Sequence, residues 1–118
     1  MQKVALNAVT ATTTSDGINV ENLENIGISI TSAGVTSGTG TLTVDVSNDG
    51  TNWETGIALL DAVDASVTSL SASVVTSGND DTKFVYLTAN FGARFIRVVC
   101  TVATDGNYTV IVFGNKKI

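Results

Sequence analysis

Apolar residues recur at every second position through much of the chain, the period of a strand with one buried face. Ile26, Ile28 and Ile30 alternate with Gly27, Ser29 and Thr31, which predicts a strand with the isoleucines inward and the small residues outward. Leu42, Val44 and Val46 continue the period in the next strand. The run ends at Asn48-Asp49-Gly50-Thr51, and Trp53 follows as the start of a returning strand, the pattern of an antiparallel hairpin. Alternation resumes through Thr55, Ile57 and Leu59, and Ala93-Arg94-Phe95-Ile96-Arg97-Val98-Val99 is another long strand. That last strand is predicted to turn at Asp105-Gly106 into Tyr108-Thr109-Val110-Ile111-Val112-Phe113, forming a C-terminal hairpin.

Shorter signals fill the gaps. Val4, Leu6 and Ala8 open a first strand or arm, Thr10 to Ser15 is a threonine-rich run, and Ile18 to Val20 is a short strand after Asp16-Gly17. Residues 33–40 carry three glycines and little to bury, which predicts a mobile surface loop. Phe84 to Leu87 is another strand, bounded by the turn Ser77 to Asp81 and a loop at Ala89 to Gly92. Leu60, Val63 and Val67 fit helical spacing, but the serines, threonines and valines that follow favour a strand over 67–76. No segment keeps a helical period over three turns. The chain therefore reads as all-β, an antiparallel β-sandwich or jelly roll of about eight strands in a single domain, with residues 1–15 as an N-terminal strand or extended arm and 16–118 as the sandwich.

Composition narrows the chemistry. The 118 residues are enough for one core without disulfides or a metal, and only 14% are charged against 43% hydrophobic, the balance being the Thr, Ser, Gly and Asn of strand faces and turns. A net charge of −5 opposes a nucleic-acid backbone or an anionic membrane, so neither is expected as a partner. Cys100 is the single cysteine and lies within an apolar run, as a small buried thiol would. The N-terminal residues have no apolar stretch of signal-peptide length, which predicts synthesis and folding in the cytoplasm. The chain has no proline, so its sheet edges need charges or partner subunits to cover them; the valine-rich C-terminal hairpin is the expected place.

Histidine is absent, which removes the commonest general base at neutral pH and the usual hydrolase triads. Three carboxylate pairs remain, Asp61 with Asp64, Asp80 with Asp81, and Glu21 with Glu24, all in predicted turns where such residues serve solubility and backbone hydrogen bonding. Asp45, Ser47, Asp49 and Asn52 offer oxygen atoms near one turn, but no bidentate glutamate follows at the spacing of a calcium loop. Neither a catalytic residue, a metal ligand nor a cofactor is expected. Trp53 shares the parity of Ile57 and Leu59 and is expected in the core with Phe95; Arg94 or Arg97 is expected to reach a carboxylate across the sheet. Asp49, Gly50, Asp105 and Gly106 are read as turn formers.

The pattern Val44-x-Val46-Ser47-Asn48-Asp49-Gly50-Thr51-Asn52-Trp53, followed after a variable stretch by Phe91-Gly92-Ala93-Arg94-Phe95-Ile96-Arg97-Val98, resembles the signature segments of discoidin-like jelly rolls. It is even more similar to a group of small virion proteins of tailed bacteriophages. The resemblance spans roughly residues 41–113, and true discoidin modules are longer and usually closed by a disulfide that this chain lacks. It implies a non-enzymatic capsid decoration or cement protein, a homo-oligomer with a trimer favoured, bound outside the lattice of a major capsid protein and so located in the virion. The expected contacts are Gln2, Lys3, Thr12, Thr13 and Thr14 of an arm that orders on its partner. The alternative is a carbohydrate-binding module of a tail or fibre, with a ligand held by loops carrying Asn52, Asp80 and Phe91.

Overall fold

The structure, a computed structural model, describes residues 1–61, 70–71, 73–87 and 92–117. It is an antiparallel β-sandwich of eleven strands among those residues: β1 (Gln2–Val9), β2 (Thr13–Thr14), β3 (Ile18–Asn19), β4 (Leu23–Ala33), β5 (Thr39–Ser47), β6 (Leu59–Asp61), β7 (Leu70–Ser71), β8 (Val74–Val75), β9 (Thr82–Tyr86), β10 (Phe95–Ala103) and β11 (Asn107–Lys116). One sheet has the order β1-β11-β4-β9-β6-β7, and the other β2-β10-β5-β8 with β3 also on β10. Four strands are only two residues long.

Each sheet turns its apolar positions inward. Ile26, Ile28 and Ile30 of β4 and Tyr108, Val110 and Val112 of β11 face Leu42 and Val44 of β5 and Ile96, Val98 and Cys100 of β10, all buried in one core. β5 and β10 pair without interruption from Phe95 opposite Ser47 to Ala103 opposite Thr39, so the inward residues of both stay in phase over nine positions. β4 and β11 hold register from Asn107 opposite Ala33 to Phe113 opposite Gly27, then shift at Gly114. Asn25 faces this irregularity with a φ of 54°, a conformation asparagine tolerates better than most residues.

The connections differ from the sequence expectation. β10 and β11 do not form a hairpin: β10 is central in one sheet and β11 lies in the other, so Asp105-Gly106 is a crossing between layers. The hairpin expected at Asp49-Gly50 is a loop closed by a single bridge, in which Val46 and Glu54 exchange backbone hydrogen bonds of 2.9 Å; the chain then leaves for β6 in the opposite sheet. Among the described residues, β6 and β7 are the one consecutive pair hydrogen-bonded to each other. The C-terminal strands are consequently interior, and the sheet edges are β1, β7, β8 and the short pieces β2 and β3.

Residues 1–15 divide between the layers. β1 lies along β11 and buries Leu6, after which the chain crosses so that Thr13 and Thr14 pair with Cys100 and Val99 of β10. Ser15 secures the crossing: its backbone N–H donates to the Val98 carbonyl, and its hydroxyl accepts from the Val98 N–H at 2.9 Å. The N-terminal amine donates to the Gly114 carbonyl at 2.7 Å, so both chain ends lie at one end of the sandwich.

The glycine-rich segment is tied down rather than free. The Asp105 carboxylate accepts from the N–H groups of Thr36, Ser37 and Gly38, and Asp80 accepts from Val35. Gly38 is buried against the Asp105 backbone, where a Cβ would lie 2.1 Å from the carbonyl oxygen; no other residue fits there. The outward positions of β4 also depart from expectation. Gly27 and Ser29 point away from the core, yet both are buried, because the Phe113 ring lies over Gly27 and meets Phe84 edge-on at 6.4 Å. Of the segment expected as a strand over 67–76, the described part holds β7 and β8; the helical-turn alternative through Val63 and Val67 lies outside the described residues.

Candidate functional site

The most structured surface feature is the end of the second sheet where β5 meets β10. The Ser47 hydroxyl accepts from the N–H groups of Asp49 and Gly50, and Asp49 accepts from Thr51, Asn52 and the Asn52 side-chain amide. These bonds, led by the Asn52 backbone N–H, hold the Asp49 carboxyl far below the ordinary carboxylate range. Gly50 sits at φ 75°, which completes the turn. The loop so formed borders an open cleft of about 600 Å³ lined by Val46, Ser47, Asn48, Asp49, Asn52, Trp53, Glu54 and Ala93.

Trp53 and Phe95 are not core residues. Both are half-buried on the outer face of the sheet, Trp53 with its ring against Gly17 and the Arg97 guanidinium 4.4 Å from its centroid. Trp53 follows a loop rather than a continuing strand, so the parity count that placed it inward does not carry through. Arg97 donates from Nε to Asp45 Oδ2 at 2.8 Å across the strand pair, and Asp45, buried on that outer face, also accepts from the Gly56 N–H. Tryptophan, guanidinium and carboxylate thus stack into one fixed unit. Arg94 reaches a carboxylate as well, donating to Glu21 with its guanidinium over the Phe95 ring.

The opposite end of the sandwich gathers Asp80, Asp81 and Asp105, about 27 Å away along the nine residues of β5. Backbone N–H donors hold two of these below the ordinary range, Gly38 foremost at Asp105 and Ser77 foremost at Asp81. The Tyr108 hydroxyl donates to the Asp105 carbonyl, and Gly106, at φ 101°, brings the turn close over that ring. These carboxylates act as loop clasps, each accepting from backbone N–H groups of a neighbouring segment. The Asp80–Asp81 pair therefore does not share a site, Glu21 is engaged by Arg94, and Asp64 lies outside the described residues. Among the described residues no three His, Cys, Asp or Glu side chains gather as metal ligands would.

The other expected contacts are scattered. Gln2 and Lys3 stand beside Phe113 and Val112 at one end of β1, whereas Thr12 accepts from the Val102 N–H, with Thr13 and Thr14 on β10; they share a long edge of the sandwich but not a patch. Asn52 and Asp80 occupy opposite ends of the molecule, and Phe91 lies outside the described residues. Arg97 and Asp45 are the site residues the sequence reading did not unite. Their signal was a charged residue at an outward position on each of two neighbouring strands.

No family model matches the chain, and no curated protein matches it. Among solved structures the fold is similar to that of the SPBc2 prophage-derived protein YomS, with a TM-score of 0.71 over 95% of this chain and 88% of that one at 12% identity. At that identity the likeness is one of fold: an all-β, two-layer antiparallel sandwich with matching overall extent.

Proposed function

We propose that this chain is a non-enzymatic protein of a phage particle, a decoration protein that adds to the outer surface of the assembled head and stabilises it. It would act as a homo-oligomer, the trimer being the number its resemblance implies, and its destination is the virion. The fold shared with a prophage-derived protein over nearly the whole of both chains carries this reading. The fixed loops support it: carboxylates bound by backbone donors and an arginine clamped under a tryptophan suit a rigid surface more than a site that moves protons. Binding only the assembled lattice raises particle stability by mass action.

The edge strand β1 is the favoured contact, because its outer backbone groups are open to an added strand and Gln2 and Lys3 stand exposed upon it. Deleting the N-terminal residues would remove buried Leu6 as well, so point changes are the cleaner probe. Purified chain mixed with heads lacking it should co-sediment with them and raise their rupture temperature, and Lys3→Glu should weaken both. Absence of binding to heads and tails alike would defeat the proposal.

The cleft beside Asn52 and Trp53 favours a second reading, a carbohydrate-binding module, since side-chain amides and carboxylates beside an indole ring match the chemistry of a sugar. A glycan array separates the two. Binding abolished by Trp53→Ala would support the module, and a blank array with intact head binding would remove it.

A further inference from the structure

The outer face of the six-stranded sheet carries more apolar surface than a monomer has reason to display. Val4 of β1, Ile111 and Phe113 of β11, Phe84 and Tyr86 of β9 and Leu60 of β6 all point outward on neighbouring strands, as the register fixes: Val4 opposite Ile111, Phe113 and Tyr86 flanking Gly27, Phe84 beside Ser29, Leu60 opposite Tyr86. Among the described residues five large hydrophobic side chains are exposed, and three of them, Val4 at 49%, Phe84 at 44% and Tyr86 at 42%, stand on this face. A fourth, Met1 at 48%, lines a recess of about 380 Å³ between Tyr86 and Phe113 at its margin. Scattered exposed hydrophobics need no explanation, but a contiguous patch marks an interaction surface.

The strands beneath the patch are written for burial on both sides. Val110-Ile111-Val112-Phe113 and Phe84-Val85-Tyr86-Leu87 are unbroken apolar runs, whereas Leu42-Thr43-Val44-Asp45-Val46-Ser47 in the other sheet alternates. A one-sided antiparallel strand alternates; a continuous run belongs to a strand covered on both faces. Here one face is covered by the core, and the other by nothing among the described residues.

Charge identifies the occupant. The chain carries −5 overall, yet the outward positions between the hydrophobics are Ser29, Thr31, Thr82 and Thr109, and none of the outward positions named bears a charge. Like charges set against each other across an interface cost several kcal/mol, so two copies of an acidic chain meet best where both are neutral. A basic partner would find nothing here to pair with. We propose that this face is the self-association surface, buried against a second copy of this chain. The inference rests on the homo-oligomer part of the proposed function and is independent of the capsid part.

Sedimentation equilibrium of the full chain tests it. Wild type should show a multiple of the 12.1 kDa chain mass at micromolar concentrations. The double variant Phe84→Glu with Tyr86→Glu should run at single-chain mass with an unchanged far-ultraviolet spectrum, its self-association weakened by at least about 100-fold. Should that variant fail to fold, Val4→Glu, at an exposed position of the edge strand, is read the same way. A wild-type chain that stays monomeric, whether or not it binds heads or neutral lipid vesicles, overturns the inference, as does an oligomer that survives in a folded face variant. Co-sedimentation with heads reads the virion role separately, so the two failures are distinguishable.

Discussion

The outward positions of β5 and β10 carry Thr39, Thr41, Thr43 and Thr101 around the Arg97–Asp45 pair, with Phe95 and Val99 half-buried among them, whereas those of β9 and β11 carry Phe84, Tyr86, Ile111 and Phe113 beside Thr82 and Thr109. The inner faces of the two sheets are built alike, from valine, isoleucine and leucine at alternate positions. The outer faces are where the two sheets differ. On the second sheet the polar positions finish the surface locally, with a carboxylate, a guanidinium and an indole ring satisfying one another. On the first, aromatic rings cover Gly27 and Ser29 and leave their own outer surfaces bare. One face is complete in the monomer, and the other is the face proposed to be completed by association.

The largest effect that would break this contrast is expected at Asp45. Asp45→Ala leaves Arg97 without its partner at a largely covered position, and urea unfolding should show a loss of about 2–3 kcal/mol, below the 3–5 typical of a fully buried pair because Arg97 remains partly exposed. Trp53→Ala comes next, at about 2 kcal/mol, less than a core aromatic because the ring is half-buried. A loss of 4 kcal/mol or more would return Trp53 to the role of core anchor.

Phe84→Ala should cost the isolated chain about 1 kcal/mol or less at low concentration, where it gives up one edge-on ring contact. Its stability should then lose the concentration dependence expected of wild type, read as the melting temperature over a dilution series. The smallest effect concerns pH. Asp81 and Asp105 have folded pKa values below the ordinary 3.8, so the stability they contribute is present above about that pH and is lost as pH falls through the lower folded values. The melting temperature should hold from neutrality to about pH 4 and fall below it, and Asp105→Asn should flatten that acid limb. An unchanged limb would mean that Asp105 is not a clasp.

Period-two alternation made β4 and β5 legible, because a strand with one buried face has no other way to sort its side chains, and β10 and β11 were legible as long runs rich in valine and isoleucine. Sheet membership was not legible. Asp105-Gly106 suits a tight hairpin, but the same residues close a crossing between layers when the aspartate binds Thr36, Ser37 and Gly38, partners nearly seventy positions away. Trp53 illustrates the same limit: parity propagates only along a continuous strand, and Asp49 to Asn52 interrupt it. The loop clasps were visible as turn formers but not as long-range donors and acceptors. The aromatic face was written in the sequence as unbroken apolar runs at 84–87 and 110–113, whose meaning emerges only when the outer side of the sheet is found open.

The N-terminal amine held at the Gly114 carbonyl sets how this domain responds to mechanical load. β1 and β11 run antiparallel with Gln2 opposite Phe113, so tension applied to both ends of the chain opens their ladder one rung at a time instead of shearing all rungs together. The domain would yield first along β1 if pulled by its own ends.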